Sequence, residues 1–301
     1  MEQRKRTERT GALLVAVSAV LYGCMPLLAK TAYAMGAGTY TVCFGRFLFG
    51  SAAAAAAIAL TPKLSFRVSA GEFLRLLAVS VFGSATTVLL YSSYRLIDSG
   101  MATTLHFTSP IWVMILGAVL FGAGIRPQQA ACLLVCFTGV VFLSHPGQGG
   151  DLRGMALALL SGATFALYVL LLGETGLNRL PLLVVSFWVF LLSAAEIGTV
   201  SAVLGQLQLD LPWKAWAVIA LLGIFVACMA QMLFQKGVFL CGEMKASLLG
   251  TLEPPVGVLV GALAFAEPVS VQTVTGVALI LIASVLLVML PERRLQAAKS
   301  V

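Results

Sequence analysis

Apolar residues fill most of this chain in long, nearly unbroken runs, and short polar breaks separate the runs. A helix needs about 20 apolar residues to cross a hydrocarbon core about 30 Å thick, and most of the runs reach that length. The breaks contain Gly, Pro, Asn or Asp, which are typical of turns, and none is long enough to fold as a soluble domain. The pattern predicts ten membrane-spanning helices, at about residues 11–31, 40–60, 73–96, 100–121, 127–144, 153–173, 181–204, 214–239, 245–266 and 270–290.

Composition narrows the fold class to an all-α polytopic membrane protein. Apolar residues make up 60% of the chain and charged residues only 10%, whereas soluble domains carry about 25% charged residues. A membrane β-barrel needs segments of about 10 residues that alternate apolar and polar positions, and this sequence has none. The spacing of the six cysteines completes no zinc set, so we predict no disulfide framework, no metal and no cofactor.

Two segments of the chain match each other at a shift of 144 residues, with 245–267 repeating 101–123. The identical positions pair Ala102, Leu105, Pro110, Gly117, Ala118 and Phe121 with Ala246, Leu249, Pro254, Gly261, Ala262 and Phe265. At a shift of 143, Gly11 and Ser18 match Gly154 and Ser161. These matches predict an internal duplication. The predicted units are a tail over 1–10, a five-helix repeat over 11–147, a second over 152–290, and a tail over 291–301.

Each predicted repeat has five crossings, and this odd number means that the second repeat enters the membrane from the opposite side. The two halves should therefore be inverted relative to each other about a pseudo-two-fold axis in the membrane plane. Inverted repeats are a recurring feature of secondary transporters, because an arrangement open to one side implies a similar arrangement open to the other. The duplication therefore predicts alternating access.

The distribution of Lys and Arg predicts the orientation of the chain. With both termini in the cytoplasm, fourteen Lys and Arg residues lie near that side, and only Lys30, Arg95, Arg153 and Lys214 lie near the other. The net charge of +7 is therefore a topology signal, and no basic-aromatic patch indicates nucleic-acid binding. The first apolar run is longer than the core of a secretory signal, so we expect it to remain as the first crossing.

The fourth helix of each half carries the motif A-x-x-L-x-x-x-x-P, at Ala102 in the first half and at Ala246 in the second. With ten crossings and basic cytoplasmic ends, the chain resembles the drug/metabolite transporter superfamily, EamA-type, over about residues 10–290. The family's acidic residue at the end of this helix is present as Glu267, but Gly122, Ala123 and Gly124 stand there in the first half. The resemblance implies movement of small metabolites, often amino acids or related compounds, across the cytoplasmic membrane.

Polar residues inside the crossings are the candidates for the transport site, because such residues are costly in lipid and should face the bundle interior. Thr103 and His106 share one face of the fourth helix with Pro110, and Glu253 shares a face of the ninth helix with Gly250. Desolvation favours a proton on Glu253, as a proton-coupling group requires, but a purely hydrogen-bonded structural carboxyl is the alternative. His106 titrates near neutral pH, although a lone buried histidine is more often a structural donor.

Arg46 lies inside the second crossing and has two interpretations. It could bind a substrate carboxylate through both of its terminal nitrogens, or it could form a structural ion pair with Glu196 of the seventh crossing. Gln231 and Gln235 are four residues apart on one helix face and should point inward. Aromatic residues that either line a cavity or serve as core and interface anchors are Tyr22, Tyr91, Tyr94, Trp112, Tyr168 and Trp188.

These features predict a secondary transporter that moves a small organic metabolite across the cytoplasmic (inner) membrane by alternating access. Its expected partners are the small-molecule substrate, the lipid bilayer and, in the coupled alternative, protons; the sequence makes no prediction of oligomeric state. The alternatives are an uncoupled facilitator or exporter of amines or drugs and, from another class, a membrane-embedded enzyme. We predict no enzymatic activity, because no crossing contains HExxH, GxSxG or paired carboxylates at catalytic spacing.

Overall fold

The computed structural model describes residues 2–97, 99–122, 124, 127–143, 151–265 and 270–289, and this part of the chain is all-helical. The helices are α1 (Glu2–Gly23), α2 (Met25–Ala34), α3 (Thr39–Ala59), α4 (Ala70–Ser93), α5 (Ser99–His106), α6 (Ser109–Phe121), α7 (Pro127–Leu143), α8 (Leu152–Glu174), α9 (Leu182–Val203), α10 (Trp213–Leu221), α11 (Gln231–Cys241), α12 (Glu243–Gly250), α13 (Glu253–Phe265) and α14 (Val271–Met289). A 3₁₀ turn covers Leu177–Arg179, and a π-helical segment, Leu222–Ala230, joins α10 to α11.

Six helical stretches in the described part of the chain are long and apolar enough to cross a membrane. They are Arg6–Ala34, Thr39–Ala59, Ala70–Ser93, Leu152–Glu174, Leu182–Val203 and Trp213–Cys241, and shorter apolar helices follow at Ser109–Phe121, Pro127–Phe142 and Val274–Ala283. The predicted all-α membrane fold is therefore confirmed. The predicted acidic helix end at Glu267 lies outside the described residues.

The fourth and ninth predicted crossings are each broken in the middle, next to their prolines. α5 ends at His106 and α6 begins at Ser109, while α12 ends at Gly250 and α13 begins at Glu253. The prolines explain the position of the breaks: a proline has no backbone N–H to donate to the preceding turn, and it is tolerated in a helix's first turn. Pro110 and Pro254 occupy that turn in α6 and α13.

A threonine stabilises each break in the same way. The Thr108 hydroxyl donates to the Leu105 carbonyl at 2.7 Å, and the Thr251 hydroxyl donates to the Leu248 carbonyl at 2.5 Å. Each of these carbonyls also accepts the backbone N–H of the same threonine, at 3.2 Å, so it remains hydrogen-bonded where the helix is interrupted. Both halves of the chain therefore interrupt the same helix with the same local chemistry.

The four main helix pairs each join one half of the chain to the other. The contact of α1 with α11 and the contact of α8 with α4 are equivalent under the repeat. In the other two contacts, α3 with α9 and α7 with α14, each helix packs against its own equivalent in the other half. Gly11 of α1 lies against Leu240 and Cys241, and its match Gly154 of α8 lies against Leu96 and Ile97. This reciprocity is what a pseudo-two-fold axis requires.

The equivalent helices α3 and α9 run antiparallel. Phe44, near the start of α3, lies against Gly198, toward the end of α9. Phe47, which comes later in α3, contacts Phe190, which comes earlier in α9, at 6.2 Å between ring centroids. Two equivalent helices that run in opposite directions belong to halves of opposite orientation. The inverted arrangement predicted from the odd number of crossings is therefore present.

Close packing of α8 against the break between α5 and α6 depends on Gly162. A Cβ atom at this position would lie 2.8 Å from the His106 carbonyl oxygen and 3.1 Å from Thr108 Oγ1. We expect Gly162→Ala to lower the free energy of unfolding by about 1–3 kcal/mol, because a backbone atom cannot move aside as a flexible side chain can. Thermal unfolding of the purified protein in detergent measures the effect.

Gly257 of α13 provides the control for this substitution. No described atom lies within 4 Å of a Cβ built at Gly257, so Gly257→Ala should be neutral or stabilising through helix propensity. Equal melting temperatures for the two variants would refute the close-packing argument at Gly162.

Candidate functional site

A cavity lies at the centre of the bundle, next to both broken helices. Residues of α1, α2, α3, α4, α5, α8, α11, α12 and α13 line it, and its volume is about 80 Å³. Seven of the predicted site residues line this cavity: Tyr22, Arg46, Tyr91, His106, Tyr168, Gln231 and Glu253.

Three predicted site residues do not line this cavity. Thr103 lies within hydrogen-bond distance of the Tyr94 hydroxyl, at 3.4 Å, and Trp112 is partly buried against the main core cluster. Trp188 donates from its ring nitrogen to the Phe66 carbonyl at 2.9 Å and packs edge-on against Phe73, in a separate surface groove. For Trp112 and Trp188, the alternative of core packing or interface anchoring fits these positions.

Arg46 is a buried cation whose contacts are all with neutral groups. Its terminal nitrogens lie 3.4 Å from the Tyr91 hydroxyl, 3.4 Å from Gln231 Oε1 and 3.6 Å from the Met25 sulfur. Its Nε is buried and has no hydrogen-bond partner in the described structure. Because a buried donor without a partner is costly, the Arg46 guanidinium retains the capacity to bind an anion that enters the cavity.

The predicted alternative of an ion pair between Arg46 and Glu196 is wrong. Glu196 instead accepts hydrogen bonds from Ser80 Oγ and Ser84 Oγ, each at 2.6 Å. The reason is geometric: Glu196 lies on the side of α9 that packs against α4, while Arg46 faces the central cavity. Serine hydroxyls thus stabilise Glu196 without a cation, and Arg46 remains available in the cavity.

Glu253 is the acidic residue of the cavity. It is the first residue of α13, directly after the break in the ninth crossing, and Gly23 of α1 lies against its backbone carbonyl. Among the described residues, no Lys or Arg nitrogen lies within 4.0 Å of its carboxyl group. Arg46 and Glu253 therefore place opposite charges on the wall of one cavity without forming an ion pair with each other.

A hydrogen-bond network connects Arg46 to the other side of the cavity through Gln231. Arg46 can only donate, so it fixes Gln231 Oε1 as the acceptor and directs Gln231 Nε2 toward the Tyr168 hydroxyl, at 3.3 Å. Gln235 Nε2 reaches the same hydroxyl at 3.2 Å, and Ser186 donates to Gln235 Oε1 at 2.6 Å. Because Tyr168 accepts these amide hydrogens, its own O–H is available to donate into the cavity.

His106 is held by Ser161 of α8. Its Nδ1 lies 3.0 Å from Ser161 Oγ, and Ser161 donates its single hydroxyl hydrogen to the Ala158 carbonyl at 2.6 Å. His106 Nδ1 must therefore be the donor, which leaves Nε2 as an acceptor. The imidazole lies between the rings of Phe107 and Phe165, at 5.5 and 5.3 Å between centroids.

Sequence reasoning missed several residues that line the cavity. The polar ones are Ser18, Thr86, Thr87 and Ser247, and their position inside apolar runs was a signal that could have found them. The apolar ones include Met25, Phe165 and Phe234. No sequence signal separates these from ordinary core residues, because only the packing of the helices determines which apolar side chains face the cavity.

Two inverted helical halves with matching broken helices beside a central cavity are features that recur in membrane transporters. Comparison with protein families specifies the class further. The EamA-like transporter family matches residues 9–145 and again residues 152–289. The chain therefore belongs to the EamA-like transporter family and contains its repeat twice, as the sequence resemblance predicted.

Relatives of known sequence agree with this assignment. An uncharacterized transporter of Archaeoglobus fulgidus is 24% identical over 92% of this chain and 95% of its own length. The threonine/homoserine exporter RhtA of Escherichia coli (strain K12) is 28% identical over 70% of this chain and 69% of its own length. The uncharacterized transporter sll1319 of Synechocystis is 28% identical over 64% of this chain, and the match spans only 60% of that relative.

A solved crystal structure has the same fold. It superposes with a TM-score of 0.76 at 19% sequence identity and covers 92% of this chain and 96% of the other. At that identity the likeness supports the fold alone.

Proposed function

We propose that this protein exports a zwitterionic small metabolite, an amino acid or a close relative, across the cytoplasmic membrane by alternating access. The observation that carries the proposal is the pair of unmatched opposite charges, Arg46 and Glu253, on the wall of one central cavity. A substrate that contains both a carboxylate and an ammonium group would neutralise both walls at once. A ligand without a carboxylate would leave the Arg46 cation without an anionic partner, which is costly at this depth. A ligand without an ammonium group could not replace a proton on Glu253.

The roles of the cavity residues follow from their donors and acceptors. Arg46 binds the substrate carboxylate through its terminal nitrogens and Nε, and the Tyr168 hydroxyl donates to the same end of the substrate. Glu253 binds the ammonium group, while His106 Nε2 offers a further acceptor. Tyr22, Tyr91 and Gln231 complete the polar wall and orient Arg46.

Proton coupling at Glu253 is part of the proposal. In the absence of an ammonium ligand, a proton neutralises the carboxyl, because an unpaired charge is costly inside the membrane. Substrate and proton then compete for the same group, so that release of one accompanies binding of the other. An exporter with this property uses an inward proton gradient to move substrate outward.

The orientation and the repeat limits belong to the same proposal. With both termini in the cytoplasm, the excess of Lys and Arg lies on the cytoplasmic side. The two repeat units extend over 11–147 and 152–290 and rock against each other around the cavity. The name of the Escherichia coli relative, a threonine/homoserine exporter, supports threonine and homoserine as the first compounds to test.

Transport by the purified protein in proteoliposomes tests the function. We expect efflux of labelled threonine or homoserine, and competition by other zwitterionic amino acids but not by simple amines or carboxylic acids. Flux that an imposed pH gradient leaves unchanged would indicate an uncoupled facilitator. Chemical conversion of a substrate without flux would indicate a membrane-embedded enzyme instead.

A further inference from the structure

An ion pair joins two helices at the face of the bundle where α1 begins, here called the N-terminal face. Lys245 Nζ of α12 lies 3.2 Å from Glu8 Oε2 of α1, and the two side chains are only 4% and 15% exposed. Both helices also line the central cavity: Val15 follows Glu8 by two helical turns, and Ser247 follows Lys245 by two residues. The pair therefore lies between the cavity and the N-terminal face.

The internal repeat provides a comparison at the opposite face. The shift of 143 residues that matches Gly11 with Gly154 pairs Glu8 with Asp151, and the shift of 144 pairs Lys245 with Met101. Asp151 accepts a hydrogen bond from the Arg153 backbone N–H at 2.8 Å and so caps its own helix, α8. Methionine carries no charge, so residues 101 and 151 cannot form the equivalent ion pair.

The two faces are otherwise packed alike. Gly11 allows α1 to approach Leu240 and Cys241 at the N-terminal face, and Gly154 allows α8 to approach Leu96 and Ile97 at the opposite face. In an inverted repeat, equivalent packing gives the two access states similar energies. The Lys245–Glu8 pair at the N-terminal face, which the equivalent positions 101 and 151 cannot form, removes this balance.

We infer that the Lys245–Glu8 pair is a latch that holds the N-terminal face closed and shifts the resting protein toward the state open at the opposite face. The inference rests on the proposed alternating access. Opening the N-terminal face between α1 and α12 separates the two charges. Separation of a largely buried pair loses a Coulomb attraction that is stronger than at an exposed site, because the effective dielectric constant is lower there. Hydration of the two separated charges offsets part of this loss.

Hydrogen–deuterium exchange of the full-length protein in lipid nanodiscs tests the latch. Lys245→Met installs the residue that the first repeat has at the equivalent position. We expect exchange at residues 6–15 and 240–248 to become about fivefold faster, and exchange at residues 90–97 and 152–158 to become slower, as the population moves between the two states. Unchanged exchange at both faces, or faster exchange at both, would refute the latch.

Two further variants separate a latch from a general loss of stability. The exchanged pair Glu8→Lys with Lys245→Glu should restore the wild-type pattern at both faces. Met101→Lys installs in the first repeat the cation that the second repeat has at the equivalent position. It should shift exchange in the same direction as Lys245→Met, slowing it at residues 90–97 and 152–158. If Met101→Lys changes exchange in opposite senses at the two faces but Lys245→Met does not, the latch is wrong and alternating access stands. If no variant produces opposite changes at the two faces, the proposed alternating access itself fails.

Discussion

Arg46→Ala is expected to weaken binding of carboxylate-bearing substrates about 10- to 100-fold, because a hydrogen bond to a charged group contributes about 1.5–3 kcal/mol. Binding of neutral or purely cationic ligands should change little or improve, since the cavity would lose a buried positive charge. The effect is large because Arg46 contacts only neutral groups and one of its donors has no partner in the described structure. Isothermal titration with threonine, and with its methyl ester as the ligand without a carboxylate, measures the difference.

Arg46→Lys is the matched variant for this test. It keeps the positive charge but removes the planar fork that binds a carboxylate through two nitrogens, so its affinity should lie between those of the wild type and Arg46→Ala. Tyr91→Phe removes one neighbouring hydroxyl and leaves the cation in position, so we expect a smaller effect. Equal losses for threonine and its methyl ester, together with a lower melting temperature, would show that Arg46 is structural.

Sequence reasoning predicted the membrane fold, the duplication and the inversion because these depend on the length, number and similarity of apolar runs. At the fourth and ninth crossings apolar length did not show that each helix is divided in two. The threonines that stabilise the breaks, Thr108 and Thr251, stand two and three residues before a proline. A proline at the same position of both halves indicates a break more strongly than a proline in either half alone.

The candidate site could be predicted in part. The cost of polar groups in lipid correctly identified Arg46, His106, Gln231 and Glu253 as residues that face the interior. It could not predict which groups these residues contact. Whether Arg46 forms an ion pair with Glu196 or faces the cavity depends on the rotation of α9 about its axis. That rotation follows from packing against α4, where Ser80 and Ser84 hold Glu196.

The repeat also determines what is special about this chain. Features that both repeats share, such as Gly11 with Gly154 and a threonine at each break, build a symmetric framework for two access states. The charged residues of the cavity are features that the two repeats do not share. Arg46 corresponds to Phe190 at a shift of 144, and Glu253 corresponds to Ser109. The charges of the cavity are therefore additions to one half each, and they provide a substrate with a preferred orientation that symmetry alone would not give.

Glu253→Gln is expected to abolish the dependence of flux on pH and leave the protein folded. Glutamine has the shape of the protonated carboxyl and cannot release a proton, so an imposed pH gradient should no longer drive efflux. Uptake down a substrate gradient should persist at reduced affinity, because the ammonium group of the substrate loses its anionic partner. Counterflow and pH-driven efflux from the same proteoliposomes measure the two activities separately.

Glu196→Gln is the matched control, since Glu196 is also a carboxyl inside a predicted crossing but is bound by Ser80 and Ser84 away from the cavity. We expect it to retain pH-driven efflux and to lower the melting temperature, because each of the two charged hydrogen bonds becomes a weaker neutral one. Loss of pH dependence in Glu196→Gln but not in Glu253→Gln would move proton coupling to the contact between α4 and α9. Retention of pH-driven efflux in both variants would show that Glu253 binds substrate without coupling protons and that another group couples them.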